Sequence, residues 1–354
     1  MKVLITGACG FVGAALSQTL RESVSRLELW GFDNLSRPGS EENRRRFSEW
    51  GRLIHGDVRM TSDLEVLPAV DWVIDAAAYP SVLAGFGAGV SSRQLMEGNL
   101  NGTQNLLEYC RRAGAGLVLL STSRVYSIAA LSALPLREVR GAFQLDRSRH
   151  LPPGVTPAGI TEEFSTSAPV SLYGASKLAS EILAFEYGAA FGFPVWVNRC
   201  GVLAGGGQFG TAEQGIFSYW LHAHAARRPL RYTGFGGKGW QVRDALHPRD
   251  LGALVLRQMA CPDKAVLRPS NVGGGTANAM SLAQLTAWCD ERFGRHAPDQ
   301  TDQERPYDIG WLVMDSSRIQ VYLGWSPEWP IESILDEIAS QTAKRSDWLA
   351  LCGA

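Results

Sequence analysis

The first thirteen residues constrain the fold most. Val3-Leu4-Ile5 is a short apolar run of the kind found in a buried parallel strand. Thr6-Gly7-Ala8-Cys9-Gly10-Phe11-Val12-Gly13 follows, and Ala14 to Leu20 then has helical spacing. The glycines recur every third residue. Gly7 permits a tight turn, Gly10 lets backbone approach a pyrophosphate, and Gly13 lets the helix pack close to the strand. Phe11 and Val12 occupy the first helical turn, where free N–H groups and the positive dipole end face phosphate. A strand, glycine turn and helix at this spacing predict an α/β Rossmann fold, a doubly wound parallel sheet that binds a dinucleotide.

The chain keeps that rhythm. A second strand, Leu27 to Phe32, ends in Asp33, 20 residues after Gly13. An acid there can accept both hydroxyls of an adenosine ribose and would repel a 2′-phosphate, so NAD is preferred over NADP. Arg37 is the feature against that preference. It is read as a solvated loop charge or a contact to the cofactor's own phosphates. A third strand end, Leu53 to Val58, puts Asp57 either beside the adenine amino group or at a helix N-cap. Trp72 to Asp75 is a fourth strand. It runs into Ala76 and Ala77, small enough for a dinucleotide to lie against the backbone. Residues 91–113 read as a helix carrying Leu95, Leu100, Leu106 and Leu107. Gly116 to Leu120 is a fifth strand, ending in Ser121-Thr122-Ser123-Arg124, and strand carboxyl ends are where α/β ligands bind. Pro194 to Cys200 is a sixth.

Between the fifth strand and the next helix, residues 127–168 break the rhythm with more than 40 residues rich in Arg, Pro and Leu. Segments of that length are usually lids or binding loops, and an ordered flap over the site is expected. The helix beginning near Tyr173 carries Leu178, Ile182, Leu183 and Phe185. Tyr173 and Lys177 are four apart and share one helical face. An ammonium beside a phenol favours the phenolate. Bringing a tyrosine from about 10 into a useful range takes roughly 3–4 kcal/mol of favourable field, at about 1.4 kcal/mol per unit. The domain reading is residues 1–200 for the dinucleotide-binding domain, with 127–168 inserted. Residues 201–354 form mainly a smaller α/β region that walls the cleft, with about 238–275 returning to the first domain.

Composition narrows the class. Of 354 residues, 45% are hydrophobic and 19% charged, a soluble globular balance. The net charge of -1 leaves no electrostatic footprint for nucleic acid or an anionic membrane. The six cysteines are scattered and read as reduced thiols. No apolar run approaches the ~20 residues of a membrane span. The first strand leaves no room for a signal peptide, so a cytoplasmic protein is expected. His222 and His224 are two apart, on different faces of a helix, so no metal site is expected.

Gly7, Gly10 and Gly13, Asp33, Asp57-Val58, Ser121-Thr122 and Tyr173-x-x-x-Lys177, in this order, resemble the extended short-chain dehydrogenase/reductase family of nucleotide-sugar-modifying enzymes. The likeness covers nearly the whole chain. It implies a tightly held, recycled NAD contacted by Gly7, Gly10, Phe11, Val12, Gly13, Asp33, Asn34, Asp57, Val58, Ala76, Ala77, Tyr173 and Lys177. It implies Thr122, Tyr173 and Lys177 as the catalytic residues. It implies a nucleotide-diphosphate sugar as substrate, with Ser123, Arg124, Arg199, Arg243 and Arg305 as contacts, Arg243 and Arg305 on the diphosphate. Members commonly pair through the helices here at 91–113 and 173–187, so a homodimer or homotetramer is expected.

Within the family, Phe32 to Arg37, Ser121 to Tyr126, Gly206 to Phe209, Gly239 to Asp244 and Asn271 to Gly274 are most similar to enzymes that invert C2 of a CDP-linked deoxyhexose. Ser123-Arg124 departs from the usual Asn-Lys there, Ser127 from a glycine, and Val202-Leu203-Ala204 from a more polar stretch. These departures bear on the sugar more than on the chemistry. Dehydratases of the family carry Asp-Glu after the threonine; Ser123 and Arg124 supply no carboxylate, which argues against dehydration. A 4-epimerase, decarboxylase or dehydrogenase is the alternative. The rival from another class is a non-catalytic NAD-binding regulator. Such proteins tend to lose the tyrosine or the lysine, and both are present here.

Overall fold

The computed structural model describes residues 1–86, 89–301 and 303–353. Its centre is a seven-stranded sheet: β1 (Lys2–Thr6), β2 (Glu28–Asp33), β3 (Arg52–His55), β4 (Trp72–Asp75), β5 (Gly116–Thr122), β6 (Val195–Cys200) and β7 (Ser270–Val272). The order is β7-β6-β5-β4-β1-β2-β3, every pair parallel. The sequence predicts six strands; the seventh is a short edge strand from beyond residue 200. Alternation along β1 builds both faces. Val3 and Ile5 enter one apolar core with Leu16 and Leu20 of α1 (Phe11–Ser23), while Leu4 enters the other with Phe32, Leu106 and Leu117. Side chains that alternate in this way are buried on both sides only when helices cover both faces. The strand order reverses between β1 and β4, and the crevice outside their carboxyl ends is where such sheets bind ligands.

Two helices stand beside β5. One runs from Ser92 to Ala113 with a wider π turn at Glu97–Asn101. The other is Ser171–Phe191. Its inward face differs from expectation. Ile182 is 57% exposed, and the buried line is Tyr173, Ser176, Lys177, Ser180, Glu181, Ala184 and Gly188. Small and polar residues let this helix lie close against its neighbours, while Leu178, Leu183 and Phe185 pack half-buried on the cores at its sides.

The second region is built on strands Val202–Leu203, Val242–Leu246, Ala279–Ser281 and Trp311–Leu312. Helices Ile216–Ala225, Leu282–Phe293 and Ile331–Thr342 close a core around Trp220, Leu221, Leu285 and Leu335. Two segments lie back on the large sheet. Helix Pro248–Ala260 adds Leu251, Leu254 and Val255 to the core of α1, and β7 pairs with β6.

Residues 127–168, expected as a flap, form two small hairpins packed on the second region. Leu131, Leu134, Leu145, Ile160 and Phe164 share a core with Val242 and Trp311 to Met314. None of the segment's side chains lines the cleft. Its scattered leucines are committed to that core, which a lid that opens could not allow.

Candidate functional site

A cleft of about 800 Å³ runs from the glycine turn, across the ends of β1, β4 and β5, to the second region. Its floor is backbone. Gly7 has φ +60°, and a Cβ on it would stand 2.8 Å from the Ala76 carbonyl oxygen. A Cβ on Gly13 would stand 2.1 Å from the Gly7 oxygen, so helix and turn touch directly. Gly10 is the N-cap of α1; no side chain caps it and the first turn holds no acid, which leaves its N–H groups and dipole for an anion. Phe11, Val12, Ala76, Ala77 and Val58 line the same end.

Asp33 ends β2 and is buried. It accepts from Cys9 N (2.8 Å) and Leu35 N (2.7 Å), and burial raises its pKa in spite of those bonds. Asp57 lines the cleft but caps no helix, because the following helix is capped by Met60. Arg59 pairs with it at 2.6 Å and Asn34 donates to it at 2.9 Å. Burial opposes its ionisation, and these hydrogen bonds outweigh it and hold the carboxyl at about 2. Arg37 is no solvated charge. It lines the cleft and donates to the Phe209 carbonyl at 2.7 Å, joining the turn after β2 to the second region. The turn has the free N–H groups that a pyrophosphate could take, and Asp33 is the acid at its side that could take a ribose.

The middle of the cleft joins Thr122, Ser123, Arg124 and Tyr173. Thr122 ends β5, and its Oγ1 accepts from Arg124 N at 3.2 Å. Burial pushes the Tyr173 phenol up to about 12; the Thr122 hydroxyl and the Arg124 charge pull against it. Lys177 lies one helical turn on and is buried. Burial lowers its ammonium, while the carboxylate of Asp75 raises it. Asp75 went unread in the sequence. It accepts from Thr6 Oγ1 (2.8 Å) and Thr103 Oγ1 (3.2 Å), and its signal was an acid inside the apolar run Trp72 to Ala76. Asn99 holds the loop after β4, accepting from Tyr79 N (2.8 Å) and donating to Ser176 Oγ (3.2 Å).

Arg124, Arg243 and Arg305 converge at the far side. Burial and the charge of Arg243 bring Arg124 down to about 9. Burial also lowers Arg243, against Asp308 3.8 Å away. Arg199, expected as a substrate contact, is a correction. It is buried off the cleft, paired with Glu181 at 2.7 Å and donating to Tyr126 Oη at 3.3 Å. It alternates with Cys200, which faces the cleft, and one strand position decides the face. The sequence also missed Gln208, Gln214 and Gln241, cleft residues whose Oε1 atoms are buried without partners.

Comparison with known proteins agrees with this fold. CDP-paratose 2-epimerase of Salmonella typhi is 29% identical over 93% of this chain and 95% of its own. UDP-glucose 4-epimerase of Corynebacterium glutamicum is 25% identical over 93% and 91%. The crystal structure of UDP-glucuronic acid 4-epimerase from Bacillus cereus, in complex with UDP-glucuronic acid and NAD, matches in fold. Its TM-score is 0.75 at 22% identity, covering 97% of this chain and 99% of that one. The sequence model of the NAD dependent epimerase/dehydratase family matches residues 3–273. The chain belongs to that family.

Proposed function

We propose that the protein is an NAD-dependent epimerase that inverts one carbon of a nucleotide-diphosphate sugar, C2 of a CDP-linked deoxyhexose being favoured. The observation that carries this is that Thr122 and the Tyr173 phenol line one cleft with the glycine turn, with a buried Lys177 one helical turn on from the phenol. Gly7, Gly10, Gly13, Asp33 and Lys177 would hold the cofactor. When bound, NAD supplies a hydride acceptor that is regenerated when the hydride returns. With its phenol pushed up to about 12 by burial, Tyr173 needs a positive charge beside it to act as phenolate; it then takes the proton from the sugar hydroxyl, and Thr122 hydrogen-bonds that oxygen. The keto sugar turns its other face, Tyr173 gives the proton back, and the centre is inverted with no net redox. Arg243 and Arg305 take the diphosphate. The absence of a carboxylate after Thr122 supports inversion over dehydration. The 29% identity to a CDP-paratose 2-epimerase supports C2 and the CDP carrier.

The test is direct. Protein is acid-denatured and the supernatant assayed for NAD. Intact protein is then incubated with CDP-, UDP-, GDP- and dTDP-sugars and the ring protons followed by NMR. Inversion at C2 of a CDP-sugar without NADH build-up is the expected result. Inversion at C4 would move the assignment to a 4-epimerase, and net NADH to a dehydrogenase. We also place the protein in the cytoplasm as a dimer paired through helices 92–113 and 171–191, a reading supported by exposed Ile182 and Phe191. None of the described helices is long and apolar enough to cross a membrane.

A further inference from the structure

Arg124 stands where the cleft's two walls meet. Its backbone lies against the helix that carries Tyr173, since a Cβ on Gly174 would stand 2.2 Å from the Arg124 carbonyl oxygen. Its side chain crosses to the opposite wall, where Nη2 donates to the Tyr307 carbonyl at 3.0 Å. Tyr307 has φ +59°, a left-handed conformation that a non-glycine residue adopts only when held. The other nitrogen, Nη1, is buried and has no partner. Buried donors without partners are rare, and each asks for an explanation. A guanidinium has donors only, so the missing partner is an acceptor.

Two sources of acceptor enter this cleft under the proposed function: the diphosphate and the sugar. Arg243 and Arg305 lie on the far wall and are placed for phosphate oxygens. Arg124 shares the cleft with them and with the phenol, and Arg243, Arg305 and Tyr173 all act on its charge. A sugar linking the phenol to the diphosphate comes within reach of it. We propose that Arg124 is a specificity-determining residue whose Nη1 hydrogen-bonds a sugar oxygen next to the reacting carbon, holding the ring against Tyr173. This rests on the nucleotide-sugar reading above.

The experiment compares wild type, Arg124→Gln and Arg124→Lys by calorimetric titration with CDP and UDP and with CDP- and UDP-sugars. A charged hydrogen bond sets the scale, so the preference of wild type for a nucleotide sugar over its free nucleoside diphosphate should fall roughly 10- to 100-fold in Arg124→Gln. Affinity for the free diphosphate should hold within about 3-fold, and Arg124→Lys should recover part of the preference. A purely structural strap would weaken both ligands together, and a diphosphate contact would weaken the free diphosphate most. Either result overturns the proposal, as does a sugar preference that survives in Arg124→Gln or is missing in wild type. An enzyme that shows the expected binding pattern but inverts no carbon would sink the epimerase reading and leave the role of Arg124 standing.

Discussion

The two walls of the cleft are built on opposite principles. The cofactor wall is backbone and satisfied polar groups: Asp33 has two backbone donors, Asp57 has Arg59 and Asn34, and Asp75 has two hydroxyls. The substrate wall carries Arg124, Gln208, Gln214 and Gln241, each with a buried polar atom left open. It also carries arginines that depress one another. On the first wall the acidic side chains are already paired and only the backbone N–H groups at the start of α1 are left open, which suits the cofactor proposed to lie there. The second is complete only with an anionic, acceptor-rich ligand in place, which suits a substrate that comes and goes.

The largest effect is expected where the walls meet. Tyr173→Phe removes the proton acceptor and should lower kcat by up to about 10⁴-fold. NAD content, measured on the denatured protein, should match wild type; turnover near wild type would end the proposed mechanism. Next comes the floor of the cofactor wall. Gly13→Ala puts a methyl 2.1 Å from the Gly7 oxygen, contact against backbone that nothing flexible can relieve. Loss of stability on the order of 4 kcal/mol and loss of bound NAD should follow, read by thermal melting and by cofactor release. Gly236, where an added Cβ meets nothing, serves as the control: an alanine there should leave NAD content alone, its cost confined to the strain of φ +69°.

The same division explains what could be read from the sequence. The cofactor wall rests on short-range rules. Three glycines, an acid 20 residues on and apolar strand runs fixed the site end of β1, β2 and β4 in advance. The substrate wall rests on long-range contacts. Arg199 and Arg243 look alike as letters in strands. Only the register of Cys200 beside Thr122 turns Arg199 away from the cleft, and only the packing of Asp308 brings Arg243 into it. Residues 127–168 are hard to read for the same reason: their hairpins have partners at 242 and 309–314, more than 70 positions away. Helix Ser171–Phe191 buries a mostly small and polar line and leaves Ile182 exposed, which periodicity does not foretell.

Arg243 sharpens the contrast from the substrate side. Its Nη1 donates to the Val242 carbonyl at 2.7 Å and its Nη2 faces Asp308, so it is pre-aimed but weakly paired. Arg243→Ala should raise the KM for the nucleotide sugar roughly 100- to 1,000-fold. NAD content and melting temperature should change little. A variant that loses NAD would make this arginine part of both walls and dissolve the distinction.

Asp244, the next residue, gives the smallest expected effect and tests the seam between the regions. It belongs to the substrate-side strand but lies under the ends of two strands of the large sheet. Its carboxylate meets Gly201 and Gly273, which follow β6 and β7, and it accepts from Gly275 N at 3.1 Å. Burial pushes its pKa up to about 6 in spite of backbone hydrogen bonds from Gly275 and its neighbours. The unfolded chain has an ordinary aspartate near about 3.9. The fold therefore binds this proton more tightly than the unfolded chain does. The stability it contributes is fully present below about pH 4 and is lost as pH rises through about 6. Two units correspond to about 3 kcal/mol at most. Asp244→Asn carries no titrating proton. Whatever constant cost the amide brings, the stability difference between wild type and variant should move by about 2–3 kcal/mol in the variant's favour from about pH 4 to about pH 6.5, measured by urea denaturation across that range. A difference that stays flat would mean that Asp244 is ionised in the fold throughout, with the backbone N–H groups fully offsetting its burial. The seam would then be as satisfied as the cofactor wall.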